Sequence, residues 1–125
     1  MNEPGRIGLT AEAGEFLEEL LVELNSQQGG DGKALIKMDL YRLAVAIGIK
    51  KGINPPQLKD KSISSFRVLE LDEDGVMYTV LEEMNVINSE SSVYEYIERL
   101  AEYGIRHFFE ENQKTGELPF HDTFE

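Results

Sequence analysis

The sequence predicts a mainly α, single-domain protein with a minor β component: four main helices and one short two-stranded element. Three observations lead there. Apolar residues recur at three- and four-residue spacing in four separate segments. Each of those segments is bounded by recognisable start or stop residues. Only two short stretches, residues 34–38 and 66–71, have strand character. At 125 residues the chain has the length of one domain and can bury roughly two-thirds of its unfolded surface.

The first helix is expected from Thr10, a good N-cap, through residues 11–25. Leu17, Leu20, Leu21 and Leu24 form one apolar stripe, and Glu12 and Glu15 suit the positive end of the helix dipole. Residues 1–9 are expected to form a flexible end. Residues 26–33, with Gly29, Gly30 and Gly32, read as a flexible loop. Residues 34–38 read as a short extended lead-in, and Asp39 as the N-cap of a second helix that reaches Ile47 or Lys50. Leu40, Leu43, Ala44 and Ile47 give that helix its stripe. Tyr41 and Val45 add a second apolar flank, which predicts burial on more than one side. Gly48 and Gly52 are both candidate ends, and Asn54-Pro55-Pro56 begins an irregular connection.

Residues 66–71 read as a strand. Asp72 or Asp74 then caps a third helix with Val76, Met77, Val80, Leu81 and Met84 facing inward. Residues 85–90 connect it to Ser92 and Glu95, the clearest helix start in the chain. The fourth helix carries Val93, Tyr94, Ile97, Leu100, Ala101, Ile105 and Phe108 on one broad face, and Gly104 is expected to kink or divide it. Residues 115–125 are expected to be a loose end or to dock through Phe120 and Phe124.

Composition excludes several kinds of function. Net charge is −12, which argues against a dedicated nucleic-acid binder, because phosphate neutralisation needs a cationic surface. No cysteine is present, which removes disulfides, thiol nucleophiles and zinc knuckles. The first residues lack a basic-then-apolar signal pattern. No apolar run approaches the ~20 residues that span a bilayer, and a cytoplasmic protein without membrane contact is expected.

The charge is uneven. Residues 63–125 hold 15 acidic and 4 basic residues, whereas residues 33–61 carry seven basic residues against Asp39 and Asp60. Lys37, Arg42, Lys50, Lys51, Lys59 and Lys61 within that segment are the candidate partner-binding residues. They suit an acidic patch on a protein partner, and they are the one route by which a nucleic acid would be contacted. A strand at 34–38 followed by a helix superficially suggests a ribbon-helix-helix repressor. Asn54-Pro55-Pro56 falls where the second helix of that fold should grow.

Motifs for chemistry fail individually. His107 and Glu111 stand at i, i+4, but neither His107 nor His121 has a partner at ligand spacing such as H-E-x-x-H. Asp72-Glu73-Asp74-Gly75 resembles part of a calcium loop, yet Val76 and Met77 occupy the positions that need Asp or Asn and then Gly. Gly29-Gly30-Asp31-Gly32-Lys33 lacks the phosphate-loop spacing. Ser64, Ser65, Ser89, Ser91 and Ser92 sit in no nucleophile elbow. Glu82/Glu83 and Glu110/Glu111 read as solvated helix faces. No catalytic, metal or cofactor residues are expected.

Two segments carry a family resemblance. Residues 39–52, from Asp39-Leu40-Tyr41-Arg42 through Gly48 to Gly52, and residues 94–105, from Tyr94-Glu95-Tyr96 to Gly104-Ile105, resemble small accessory proteins of the phosphorothioation (Dnd) type of DNA-modification defence system. The resemblance implies an accessory role in bacterial anti-phage defence beside a larger nuclease or ATPase component. It brings no catalytic residues. The expectation is a non-enzymatic adaptor that acts through protein contacts, with a larger partner or with itself. A DNA-binding regulator using residues 33–61 is the alternative, and a carboxylate-based, metal-dependent hydrolase comes third.

Overall fold

The computed structural model describes residues 3–27, 36–85 and 92–115. Among them the order is β1 (Arg6–Thr10), α1 (Ala11–Gln27), α2 (Lys37–Lys51), β2 (Ser62–Arg67), the single turn α3 (Val68–Leu71), α4 (Val76–Met84) and α5 (Val93–Thr115). The fold is mainly α with one two-stranded antiparallel sheet. The four expected helices are α1, α2, α4 and α5.

α1 begins where Thr10 Oγ1 accepts the Ala13 N–H at 3.3 Å, and its four-leucine stripe is buried. It runs two residues beyond the expected end, so Ser26 and Gln27 are helical. The rest of the expected 26–33 loop lies outside the described residues.

α2 starts earlier than expected. The Asp39 carboxylate accepts the Ile36 N–H at 3.3 Å, so Asp39 sits in the first turn and Ile36 is the N-cap. Lys37 and Met38 are therefore helical, and the expected strand at 34–38 is not formed there; Ala34 and Leu35 lie outside the described residues. Gly52 ends the helix with φ +64°, a conformation that favours glycine. Gly48 does not end it. It lies buried inside the helix, where an added Cβ would meet Leu100 Cδ2 at 2.8 Å.

The true partner of β2 is the N-terminal segment. Arg6 pairs with Arg67, Ile7 with Phe66, Leu9 with Ile63 and Thr10 with Ser62, with a bulge between Ile7 and Leu9. Residues 6–9 are thus strand, not a loose end. At the bulge, a Cβ on Gly8 would lie 1.7 Å from the Ile63 carbonyl oxygen, so only glycine fits. The strand expected over 66–71 stops at Arg67. Val68 and Leu71 are both buried at i, i+3 spacing, which a helical turn satisfies and a strand does not.

α5 holds the other edge of β1. Glu98 accepts the Gly8 N–H at 2.8 Å, and Glu102 accepts the Thr10 N–H at 3.0 Å and its hydroxyl at 2.8 Å. Arg106 Nε donates to Glu102 at 2.9 Å. Three side chains one turn apart on α5 therefore close a sheet edge that would otherwise be open. The Tyr41 hydroxyl, fully buried on α2, donates to the Gly8 carbonyl at 2.9 Å.

α5 is continuous from Val93 to Thr115. Ser92 Oγ accepts the Glu95 N–H at 3.0 Å, and Glu3 accepts the N–H groups of Val93 and Tyr94, both at 2.9 Å. Gly104 does not divide the helix. It lets the α5 backbone touch α2: a Cβ there would lie 2.3 Å from the Ala44 carbonyl oxygen. Residues 116–125, including Phe120, His121 and Phe124, lie outside the described residues, as do residues 86–91.

Gly104→Ala is expected to destabilise the fold by about 2–3 kcal/mol through overpacking against α2. Gly14→Ala, where nothing stands within 4 Å, should instead stabilise by about 0.5–1 kcal/mol. Urea unfolding of the two variants tests the contrast.

Candidate functional site

α4 is more apolar than one buried face requires. Met77 and Leu81 turn toward the core, and of the whole helix only Leu81 is buried. Val76 (54% exposed), Val80 (36%) and Met84 (41%) form a second ridge at i, i+4, i+8 that faces outward. The expectation that all five apolar residues point inward thus fails for these three. The nine-residue helix packs along one side against α5, and Val76 and Val80 on another side stay partly exposed.

Between α4 and α2 lies a cleft of about 740 Å³. Val45, Ala46 and Ile49 of α2 line one side, and Val76, Met77 and Val80 of α4 the other. Leu71, Asp72, Glu73 and Asp74 close one end, with Arg42 beside them. This is an apolar trough with a polar end, the usual form of a recognition groove.

The polar end is built by two anchored side chains. Arg42 Nε donates to the Leu71 carbonyl and Arg42 Nη2 to the Glu70 carbonyl, both at 2.9 Å. Its guanidinium thereby satisfies the carbonyls that end α3. Asp72 does the same for the start of α4. Its carboxylate accepts the N–H groups of Met77 at 3.0 Å and Tyr78 at 3.1 Å, but the N-cap position expected of Asp72 or Asp74 is held by Gly75, at φ +72°. It also accepts the Tyr94 hydroxyl at 2.9 Å, which ties α4 to α5. Asp74 adds a contact to the Val76 N–H at 3.3 Å. Burial, then the hydrogen bond to Asp72, pushes the Tyr94 phenol well above its usual range. Burial, then the charges of Glu98 and Glu102, does the same for Tyr41.

The six basic candidates are placed differently from one another. Arg42 lines the cleft, with its fork committed to backbone carbonyls and an ion pair to Asp39 at 3.6 Å. Lys37, in the first turn of α2, pairs with Glu18 of α1. Lys50 and Lys51 stand in the last turn, where the helix dipole favours cations. Fourteen residues of helix put Lys37 roughly 21 Å from Lys51, so the basic run in sequence does not form one patch along α2. Lys59 and Lys61 are exposed on the connection into β2.

His107 stacks beside Tyr103, with ring centroids 6.0 Å apart. Burial, then the charge of Lys51, holds its imidazole below the usual range. Among the described residues, no group of three or more His, Asp or Glu is placed to hold a metal ion, and no helix is long and apolar enough to cross a membrane.

Comparison with protein-family models, with curated proteins and with solved structures gave no match to this chain.

Sequence reasoning missed the cleft, although it singled out Val45, Val76, Met77 and Val80 as apolar helix positions. The signal was present in α4, where Val76, Val80 and Met84 form one ridge and Met77 and Leu81 another. Two apolar ridges on a short helix mean two apolar neighbours or one unoccupied face.

Asp72→Ala should cost about 2–3 kcal/mol, because it strips a charged acceptor from three donors. Amide exchange should quicken first in α4. A second expectation concerns pH. The phenols of Tyr41 and Tyr94 ionise near pH 10 when unfolded and resist ionisation when folded. Their contribution to stability is therefore complete below pH ~10 and is lost as pH rises beyond it. Urea midpoints should fall above pH ~10, and less steeply in Tyr94→Phe.

Proposed function

We propose that this chain is a non-enzymatic adaptor that works through protein contacts made at the α2–α4 cleft, as an accessory component of a DNA-modification defence system. The observation that carries the reading is the partly exposed pair Val76 and Val80, which lines an apolar trough between α4 and α2. Exposed apolar surface gathered in a concave site is what a protein-binding face offers, and it has a cost in solubility unless something covers it.

The role in defence rests on the resemblance of residues 39–52 and 94–105. Those positions serve packing: Ala44 and Gly104 meet at the backbone, Gly48 meets Leu100, and Tyr41 holds β1. A family pattern made of packing residues suits a scaffold, whose work is to present a surface. The basic residues fit a DNA-binding role less well, since Arg42 is turned onto carbonyls and Lys37 onto Glu18.

Purification of the tagged chain from its host should recover one larger protein in fixed ratio, and Val80→Asp should abolish that recovery. Bare monomer, or a partner retained by Val80→Asp, would overturn the reading. A salt-dependent mobility shift on duplex DNA that is lost in Lys50→Glu/Lys51→Glu would replace it with the regulator.

A further inference from the structure

We propose that the occupant of the α2–α4 cleft is an amphipathic helix with a cationic polar flank, presented by a different protein. The proposal rests on the reading of the cleft as the docking face and adds the chemistry of what docks there.

The shape selects a helix. Val76 and Val80 stand one turn apart on α4, about 6 Å, with Met77 between them on the trough wall. Val45, Ala46 and Ile49 face it from a second helix. A trough between two helical walls is filled by a third helix that offers apolar side chains at i, i+3, i+4 and i+7.

The charge selects its flank. Glu73 and Asp74 are exposed at one end of the trough. Glu83 is exposed and stands three residues from Val80 and seven from Val76, on the same side of α4. Asp72 contributes less outward field, because its carboxylate is buried and accepts three hydrogen bonds. Among the described lining residues the one cation is Arg42. Its guanidinium is held by the carbonyls of Glu70 and Leu71 and by Asp39. Lys50 stands on the α2 side, four residues from Ala46; the rim that α4 and the turn before it offer to a partner is acidic. Lysine or arginine beside the apolar stripe of a docking helix would lay its stem along the trough and its charge on that rim.

The same field disfavours the other occupants. A second copy of this chain would bring acidic rim against acidic rim, in a protein of net charge −12. A helix with an acidic flank, or a nucleic acid, meets the same repulsion.

Two synthetic helical peptides of about 18 residues, long enough to fold on contact, test this against the full chain. Both carry leucine at i, i+3, i+4 and i+7; one has lysine at the remaining positions and the other glutamate. Fluorescence anisotropy gives affinity, and amide chemical shifts give the site. The lysine peptide should bind and move the amides of Val45, Ala46, Ile49, Met77 and Val80. Val80→Asp should weaken it by about tenfold or more. Glu73→Lys/Glu83→Lys should weaken it several-fold and flatten its dependence on salt. These three side chains lie at the surface, and well-dispersed spectra check that each variant is folded.

If the glutamate peptide binds the cleft as well as the lysine peptide, or if the rim variant changes nothing, the cationic flank is wrong and the docking face stands. If neither peptide moves the cleft amides, or if Val80→Asp leaves binding intact, both readings fall.

Discussion

The structure depends on backbone contact between α2 and α5. Ala44 and Gly104 meet where no larger side chain fits, and Gly48 receives Leu100 one turn further along α2. Close approach of this kind fixes the two helices in one relative position, because neither can slide without a backbone clash. Everything else is arranged from that pair. Tyr41 reaches from α2, and Glu98, Glu102 and Arg106 from α5, to hold the strand β1. The opposite side of α2 supplies Val45, Ala46 and Ile49 to the cleft. One crossing thus sets both the buried sheet edge and the exposed trough.

Much of the fold was legible because it is local. The leucine stripe of α1, the Ser92 start of α5 and the Gly52 end of α2 are signals spread over a few residues. They read the same way in sequence and in space. What escaped was non-local. Glu98 and Glu102 look like solvated acids on a helix, yet their carboxylates bind backbone more than 80 residues upstream. The partner of β2 was missed for the same reason: Ile7 and Leu9 look like the fringe of a polar terminus until α5 covers it. Gly104 read as a flaw in a helix because the Ala44 backbone opposite it cannot be seen from residues 94–110.

The candidate site was half legible. Asp72 and Asp74 were identified as helix starters, and Val45, Val76, Met77 and Val80 as apolar helix positions. Their orientation was not, since periodicity does not say which side of α4 meets the core, and in the fold it is the side of Met77 and Leu81. The basic run shows the opposite failure. In sequence Lys37, Arg42, Lys50 and Lys51 look like one cationic stretch. On α2 they divide between two helix ends and an internal clasp. Charge counted along a chain predicts a surface only where the fold keeps neighbours together.

The clasp of α5 on β1 has a consequence for the chain as it leaves the ribosome. Helices α1 and α2 can coil as soon as they are made, since their bonds are local. The N-terminal strand cannot have its outer edge closed until Glu98, Glu102 and Arg106 have been synthesised. At about 5–20 residues per second, Ile7 and Leu9 therefore wait several seconds with their backbone unfinished. A strand made early is among the last elements to be sealed, and for that interval a nascent chain offers a short sticky strand to whatever chaperone or neighbouring chain is within reach.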